Sequence, residues 1–128
     1  HTKDVFVIGL ASEKQIGIDI ESINKTFNSK SLETYLFTPA ELSHFNTIDS
    51  HLKKEFFINY WTQKEAVLKA LGSGLTKPMN ELEIANLSKD WFLESKKMMD
   101  HYQVAIAING QVNGLQYISI NGPEFFNK

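Results

Sequence analysis

Three carboxylates and one lysine in this sequence have the chemistry and the spacing of a metal and phosphate site. Asp19 and Glu21 alternate with isoleucines in the segment IGIDIE, so they project from one face of a predicted strand. Glu65 and Lys69 lie four residues apart in a predicted helix, where such side chains are neighbours. Carboxylate oxygens suit Mg²⁺, and a lysine supplies a positive charge for phosphate oxygens. The four residues together predict a site for Mg²⁺ and a pyrophosphate group.

Each half of this constellation also has a simpler structural interpretation. Two carboxylates on one strand face are typical of a solvated surface that keeps a protein in solution. Glu65 and Lys69 also have the spacing of an ordinary surface ion pair, which contributes about 0.3–0.5 kcal/mol to stability. From either segment alone both interpretations remain open.

The helix that carries Glu65 is predicted to begin at Asp49 or Ser50 and to end at about Leu71, before two glycines. Its apolar side chains share one arc of a helical wheel, as expected of a helix packed on a core. Lys64 falls inside that arc, so its ammonium must either reach water or meet an anion at the edge of the core. The residues of the arc are Phe56, Phe57, Tyr60, Trp61, Val67, Leu68 and Leu71.

Two shorter helices are predicted before the long one, at residues 31–36 and from Pro39 to about Asn46. Thr38 and Glu41 have the spacing of a capping box at the start of the second of these helices. Capping is therefore the simplest explanation of Glu41, and a catalytic role is the alternative.

Short strands are predicted on both sides of the helices. The pattern of β-branched and alternating residues places them at 5–10, 16–20, 82–87, 91–95, 102–108 and 115–120, with turns at 88–90 and after 108. The short connection between the first two strands predicts an antiparallel hairpin. The sequence thus predicts an α+β fold, an antiparallel sheet packed on a long helix, in a single domain over residues 1–128.

Composition excludes several classes of function. Thirteen basic and fifteen acidic residues give a net charge of −2, so no overall field attracts nucleic acid. No apolar run approaches the roughly 20 residues that a membrane-spanning helix needs. The chain has no cysteine, which rules out disulfides and a thiol nucleophile and is typical of a cytoplasmic protein. It also has no arginine, so lysine, histidine or backbone groups must make any phosphate contact.

At these residues the sequence resembles the 4′-phosphopantetheinyl transferases. The family's strand motif (I/V)G(I/V)D(I/V)E is matched by residues 16–21, and its helix motif WxxKExxxK by residues 61–69. An F-(S/T)-x-x-E segment is matched at residues 37–41, and GxGL at residues 72–75. His1 lies where the larger, two-half members of the family have a histidine before the strand. The resemblance is strong over residues 1–78 and weak beyond them.

The resemblance implies transfer of the phosphopantetheine arm of coenzyme A to a serine of an apo carrier protein, in fatty acid, polyketide or nonribosomal peptide synthesis. Asp19, Glu21 and Glu65 would hold Mg²⁺ against the pyrophosphate, and Lys69 would donate to the same phosphates. Glu65 or a metal-held water would accept the serine proton, with Glu41 as a second candidate.

Three further contacts follow from the same resemblance. His1 would contact the 3′-phosphate of coenzyme A, and Lys64 would contribute to phosphate binding. An apolar groove near residues 35–37 would receive a helix of the carrier protein, unless those side chains belong to the core.

The chain resembles the second, metal-binding half of the two-half type, with the coenzyme between the halves. We therefore expect a chain that self-associates or that lacks an N-terminal half. Two rivals are a catalytically incomplete half-domain and a module that only binds carrier proteins, and a Mg²⁺-dependent phosphohydrolase is a more distant one.

Overall fold

The computed structural model describes residues 14–24, 30–72, 77–110 and 112–114, with the single positions 9 and 11. In chain order the elements are β1 (Ile16–Ser22), α1 (Lys30–Leu36), α2 (Pro39–Phe45), α3 (Ser50–Leu71), a 3₁₀ turn (Met79–Glu81), α4 (Ile84–Asp90), β2 (Trp91–Met98) and β3 (Tyr102–Asn109). Apart from position 9, the strands predicted at 5–10 and 115–120 lie outside the described residues, as does the predicted hairpin.

The three described strands form an antiparallel sheet in the order β1-β3-β2, and α3 packs across one of its faces. Gly17 of β1 lies opposite Ala107 of β3, and Asp19 lies opposite Ala105. These small residues let the helix approach closely, and a Cβ on Gly17 would overlap the carbonyl oxygen of Ala66 in α3. The α+β fold and the packing of the sheet on the long helix are confirmed.

Side chains of α1, α2 and the first half of α3 share an aromatic core. The ring of Phe37 lies 4.8 Å from that of Phe45 and 5.7 Å from that of Phe57, measured between centroids. The predicted capping box is confirmed, because the Thr38 hydroxyl accepts from the Glu41 amide and the Glu41 carboxylate accepts from the Thr38 amide. The predicted boundaries of α3 are also confirmed, with Gly72 at φ 78° as its C-cap.

The strand predicted at residues 82–87 is wrong, because residues 84–87 belong to α4, which follows the 3₁₀ turn. Alternation in LEIANL gave a strand signal, but tertiary contacts favour a helix. Leu87 packs on the alanine-rich interface between α3 and the sheet, and the Ile84 amide at the start of α4 donates to the Glu41 carboxylate at 3.0 Å. Residues 88–90, predicted as a turn, are the last residues of the helix.

None of the helices in the described ranges has the length and apolar character needed to span a lipid bilayer.

Candidate metal and phosphate site

Asp19 is buried between β1 and the second half of α3. Since side chains alternate along a strand, Gly17 and Asp19 face the helix together. The Lys69 ammonium of α3 donates to Asp19 Oδ1 at 2.7 Å. The Asp19 side chain is 6% exposed, whereas that of Lys69 is 46% exposed. The helix lysine thus reaches from solvent to a buried carboxylate on the strand.

The second oxygen of this carboxylate, Asp19 Oδ2, is buried and accepts no hydrogen bond from any group in the described part of the chain. A buried polar atom without a partner is costly, and more so when it carries charge. An oxygen in this condition fits a site for a cation.

Three negative charges gather at this point of the interface. The pKa of Asp19 is raised from 3.8 to about 6, first by burial and then by the charges of Glu21 and Glu65, against the opposing effect of Lys69. Glu21 lies on the same strand face as Asp19, and Glu65 lies one turn before Lys69 on α3. The structure therefore brings all four residues predicted from the sequence into one electrostatic neighbourhood.

The residues present fit Mg²⁺, although no group of three His, Cys, Asp or Glu side chains among the described residues is close enough to enclose an ion. Mg²⁺ keeps several of its waters and needs only one or two carboxylates when a substrate phosphate completes its coordination. Asp19 Oδ2 supplies one oxygen that has no partner among the described residues, and two further carboxylates lie near it.

We expect Asp19→Asn to raise the melting temperature of the metal-free protein at about pH 7. Because the pKa of about 6 in the folded state exceeds the ordinary value of 3.8, the folded protein binds more protons than the unfolded chain between those values. Ionisation of Asp19 therefore costs stability as the pH rises through this window, and the neutral amide avoids that cost.

Melting curves of both proteins in chelator would test this expectation. The difference between them should disappear near pH 4, where the Asp19 carboxyl is protonated in the folded protein. A lower melting temperature for Asp19→Asn at pH 7 would mean that the bond to Lys69 outweighs the cost of burial.

Lys64 lies away from solvent, with a side chain that is 0% exposed. Its ammonium donates to Glu41 Oε1 at 2.5 Å, to the Leu36 carbonyl at 2.6 Å and to the Met79 carbonyl at 3.0 Å. Burial lowers the pKa of Lys64, while the hydrogen bond and charge of Glu41 oppose this effect. For the predicted phosphate contact, Lys64 would have to leave three internal partners.

Glu41 has a similarly internal position. Besides Lys64, its carboxylate accepts from the amides of Thr38 and Ile84, each at 3.0 Å. The structural interpretation of Glu41 as a cap is confirmed, and the same carboxylate also joins α2 to α3 and α4. With these three donors and little exposure, Glu41 is poorly placed to accept a proton from a substrate.

The other residues that the sequence predicted for the site or for carrier binding differ in where they lie. His1, Gly74 and Leu75 lie outside the described residues. Leu36 and Phe37, considered for a carrier-binding groove, belong to the core, whereas Tyr35 is 53% exposed.

A polar network that was not predicted from the sequence lies beside this site. Asn59 Oδ1 accepts from Gln63 at 3.0 Å and from Ser95 at 2.5 Å, and Ser95 in turn accepts from Gln103. Gln103 is the partner of Glu21 across β1 and β3. In the sequence, the only indication of this network is the polar Gln103 at the start of the apolar segment QVAIAI.

Comparisons with known proteins agree with these motifs. Residues 15–107 match the family model of the 4′-phosphopantetheinyl transferase superfamily, a range that includes the whole candidate site. The chain is 36% identical over 85 residues to 4′-phosphopantetheinyl transferase HetI of Nostoc sp., which covers 66% of this chain and 35% of that protein.

Two further relatives differ in how much of their length is matched. The putative 4′-phosphopantetheinyl transferase slr0495 of Synechocystis sp. is 27% identical over 106 residues, covering 82% of this chain and 43% of that protein. The holo-[acyl-carrier-protein] synthase of Mycoplasma mycoides is 27% identical over 85 residues, covering 66% of this chain and 76% of that protein. The chain thus spans less than half the length of HetI and of slr0495.

Proposed function

The chain belongs to the 4′-phosphopantetheinyl transferase superfamily, and we propose on that premise that it transfers the 4′-phosphopantetheine arm of coenzyme A to a serine of an apo carrier protein, with Mg²⁺. The observation that best supports the proposal is the buried Asp19 carboxylate, with one oxygen hydrogen-bonded to Lys69 and the other without a partner in the described part of the chain. Both residues lie within the part of the chain that matches the family.

Asp19 Oδ2 is the first candidate ligand for Mg²⁺, and Glu21 and Glu65 are the others. A bound Mg²⁺ would neutralise charge that develops on the pyrophosphate as the bond to the leaving group breaks. Lys69 adds a second positive charge at the same place. Its ammonium has three donors, and Asp19 Oδ1 takes one, which leaves donors for phosphate oxygens.

Glu65 is the group that we assign to the serine proton. The serine oxygen attacks the β-phosphorus of coenzyme A, the bond to the bridging oxygen breaks, and 3′,5′-adenosine bisphosphate leaves with that electron pair. The serine proton passes to the Glu65 carboxylate. Of the two candidate side chains for the base, Glu41 is held by three internal donors, so we favour Glu65, and a water held by Mg²⁺ stays an alternative.

The chain would act as the metal-binding half of a two-half enzyme, through self-association or together with an N-terminal half. Its coverage of less than half of HetI and of slr0495 supports this proposal. The same observation favours, as a second candidate, a half-domain that holds Mg²⁺ but cannot complete transfer alone. The contact of His1 with the 3′-phosphate and the cytoplasmic location remain predictions.

A transfer assay separates these candidates. The chain is incubated with coenzyme A, Mg²⁺ and a panel of apo carrier proteins, and the carriers are weighed by intact mass spectrometry. A gain of one phosphopantetheine arm that disappears with chelator supports the whole proposal. If no carrier gains mass until an N-terminal half is supplied, the incomplete half-domain is correct. No gain under either condition contradicts a transferase role.

Glu65→Gln is expected to lower the rate of transfer by about 100-fold, because the amide can neither accept the serine proton nor bind Mg²⁺ as a carboxylate does. The melting temperature should change little, since Glu65 is partly exposed on α3. Glu55→Gln on the same helix is the matched control, because Glu55 is 48% exposed and pairs with Lys97.

Mg²⁺ binding gives a readout that does not need transfer. Mg²⁺ should raise the melting temperature of the wild-type chain and of Glu55→Gln, and should have a much smaller effect on Glu65→Gln. Unchanged transfer rates and an unchanged Mg²⁺ response would remove Glu65 from the mechanism.

A further inference from the structure

The polar network of Asn59, Gln63, Ser95 and Gln103 joins α3 to β2 and β3, and its hydrogen bonds run in one direction. A main-chain carbonyl sets this direction, because it can only accept. Gln63 Nε2 donates to the Asn59 carbonyl at 3.4 Å, so Gln63 presents its amide nitrogen. The same nitrogen lies 3.0 Å from the side chain of Asn59, which therefore presents its oxygen, Oδ1.

The direction of the network determines how the Gln103 amide is turned. The Ser95 hydroxyl has one proton, which it donates to Asn59 Oδ1 at 2.5 Å. Ser95 Oγ can then only accept, and Gln103 Nε2 donates to it at 2.6 Å and to Asn59 Oδ1 at 3.4 Å. Both amide protons are thus used. No group in the described part of the chain donates to Gln103 Oε1, although the residue is only 7% exposed.

Gln103 lies beside a proposed ligand of Mg²⁺. It is directly opposite Glu21 in the antiparallel pair of β1 and β3, so both side chains leave the sheet on one face, with Cβ atoms about 5 Å apart. Glu21 is on β1 and Ser95 is on β2, so they lie on opposite sides of β3. Because the amide nitrogen of Gln103 is bonded to Ser95, the carbonyl oxygen is the end left for Glu21.

We propose that Gln103 is a positioning residue of the Mg²⁺ site, whose carbonyl oxygen accepts a hydrogen bond from a water that Mg²⁺ and Glu21 hold. An amide oxygen and a carboxylate are both acceptors, so a donor must lie between them. Mg²⁺ keeps several of its waters, and these are donors of the required kind. Hydrogen bonds of this sort orient the ligands of a metal. The inference rests on the proposed function, because it adds a residue to the metal site of that reaction.

The test is the affinity for Mg²⁺ alone, obtained from the rise in melting temperature with added Mg²⁺, without coenzyme A or carrier. Gln103→Met keeps the length of the side chain but has no amide, so it should weaken Mg²⁺ binding about tenfold. The matched control is Gln15→Met. Gln15 accepts from Asn109 at 3.2 Å, roughly 20 Å from Glu21 along β1, so this variant should bind Mg²⁺ like the wild type.

Ca²⁺ gives a readout that a purely structural role would not move. Ca²⁺ gives up its waters more readily than Mg²⁺ and takes more oxygen ligands directly. Loss of a bond to a metal-held water should therefore weaken Mg²⁺ binding more than Ca²⁺ binding, whereas general damage to the site should weaken both alike.

Ser95→Ala tests the orientation of the amide separately, because it removes the acceptor of Gln103 Nε2 and keeps Oε1. It should weaken Mg²⁺ binding less than Gln103→Met does, and the double variant Ser95→Ala/Gln103→Met should bind like Gln103→Met alone. If Gln103→Met does not fold, Ser95→Ala provides the comparison of Mg²⁺ with Ca²⁺.

The outcomes separate this inference from the proposed function. Equal Mg²⁺ affinity in the wild type and in Gln103→Met overturns the inference, and transfer by both proteins would leave the transferase intact. An equal loss of Mg²⁺ and Ca²⁺ affinity, or additive effects of the two substitutions, also overturns it. Selective loss of Mg²⁺ affinity in a chain that transfers no phosphopantetheine supports the role of Gln103 and contradicts the activity. No Mg²⁺ response in the wild type overturns both the inference and the proposed metal site.

Discussion

The variant Lys64→Met is expected to lose about 3–5 kcal/mol of unfolding free energy relative to the wild-type chain. Methionine has a similar length and leaves little cavity, so the loss comes from charge and hydrogen bonding. The Glu41 carboxylate would remain buried without its cation, and the carbonyls of Leu36 and Met79 would lose a donor. An uncompensated buried charge is among the most costly changes that a single substitution makes.

Urea unfolding with a matched exposed pair would measure this loss. Lys97 and Glu55 form an ion pair at 2.7 Å with both side chains about half exposed, so Lys97→Met should cost at most about 1 kcal/mol. The double variant Lys64→Met/Glu41→Gln should recover part of the loss, because no charge then remains buried. A cost for Lys64→Met no larger than that for Lys97→Met would contradict a structural role of the buried pair.

For Lys64, the sequence predicted the kind of partner but not its identity. Helical periodicity placed this lysine in the apolar arc and required it to find water or an anion. The identity of the anion did not follow, because Glu41 is 23 residues earlier and already had an explanation as a helix cap. The Glu41 carboxylate both caps α2 and pairs with Lys64. Only the tertiary arrangement of α1, α2 and α3 brings it to the lysine.

In the candidate site, too, local patterns predicted some features, and others depend on tertiary contacts. Alternation along IGIDIE correctly put Asp19 and Glu21 on one face, and helical spacing correctly put Glu65 beside Lys69. The partner of the Lys69 ammonium is nevertheless Asp19, from a strand 50 residues earlier. The local spacing favoured an ion pair between Glu65 and Lys69 within the helix. Because β1 packs on α3, Lys69 instead pairs with the buried carboxylate of Asp19.

Where local signals were strong, the fold could be predicted. The capping box and the glycine that ends α3 are short-range signals, and both are confirmed. The strand prediction for residues 82–87 followed the local alternation and was wrong, because tertiary contacts decide the structure of this segment. Leu87 and the first amide of α4 find their partners in α3 and α2, which no pattern within the segment specifies.

Gly17→Ala is expected to destabilise the chain by about 3 kcal/mol or more and to disrupt the Asp19 site as well. A methyl group at residue 17 would overlap the carbonyl oxygen of Ala66 and lie 2.5 Å from the amide nitrogen of Ala70. Because β1 and α3 must then separate, the bond between Asp19 and Lys69 should lengthen or break. Urea unfolding would report the first effect, and loss of the Mg²⁺-dependent rise in melting temperature would report the second.

Two controls identify the cause of that loss. Gly114→Ala adds the same methyl group where no described residue lies within 4 Å, so it should leave stability and the Mg²⁺ response nearly unchanged. The atoms that obstruct residue 17 belong to the main chain of α3, so shortening a helix side chain cannot make room for it. The double variant Gly17→Ala/Ala66→Gly should therefore be no more stable than Gly17→Ala. The glycine at residue 66 also lowers the helix propensity of α3. Recovery in the double variant would mean that side-chain crowding, rather than backbone contact, fixes the distance between the strand and the helix.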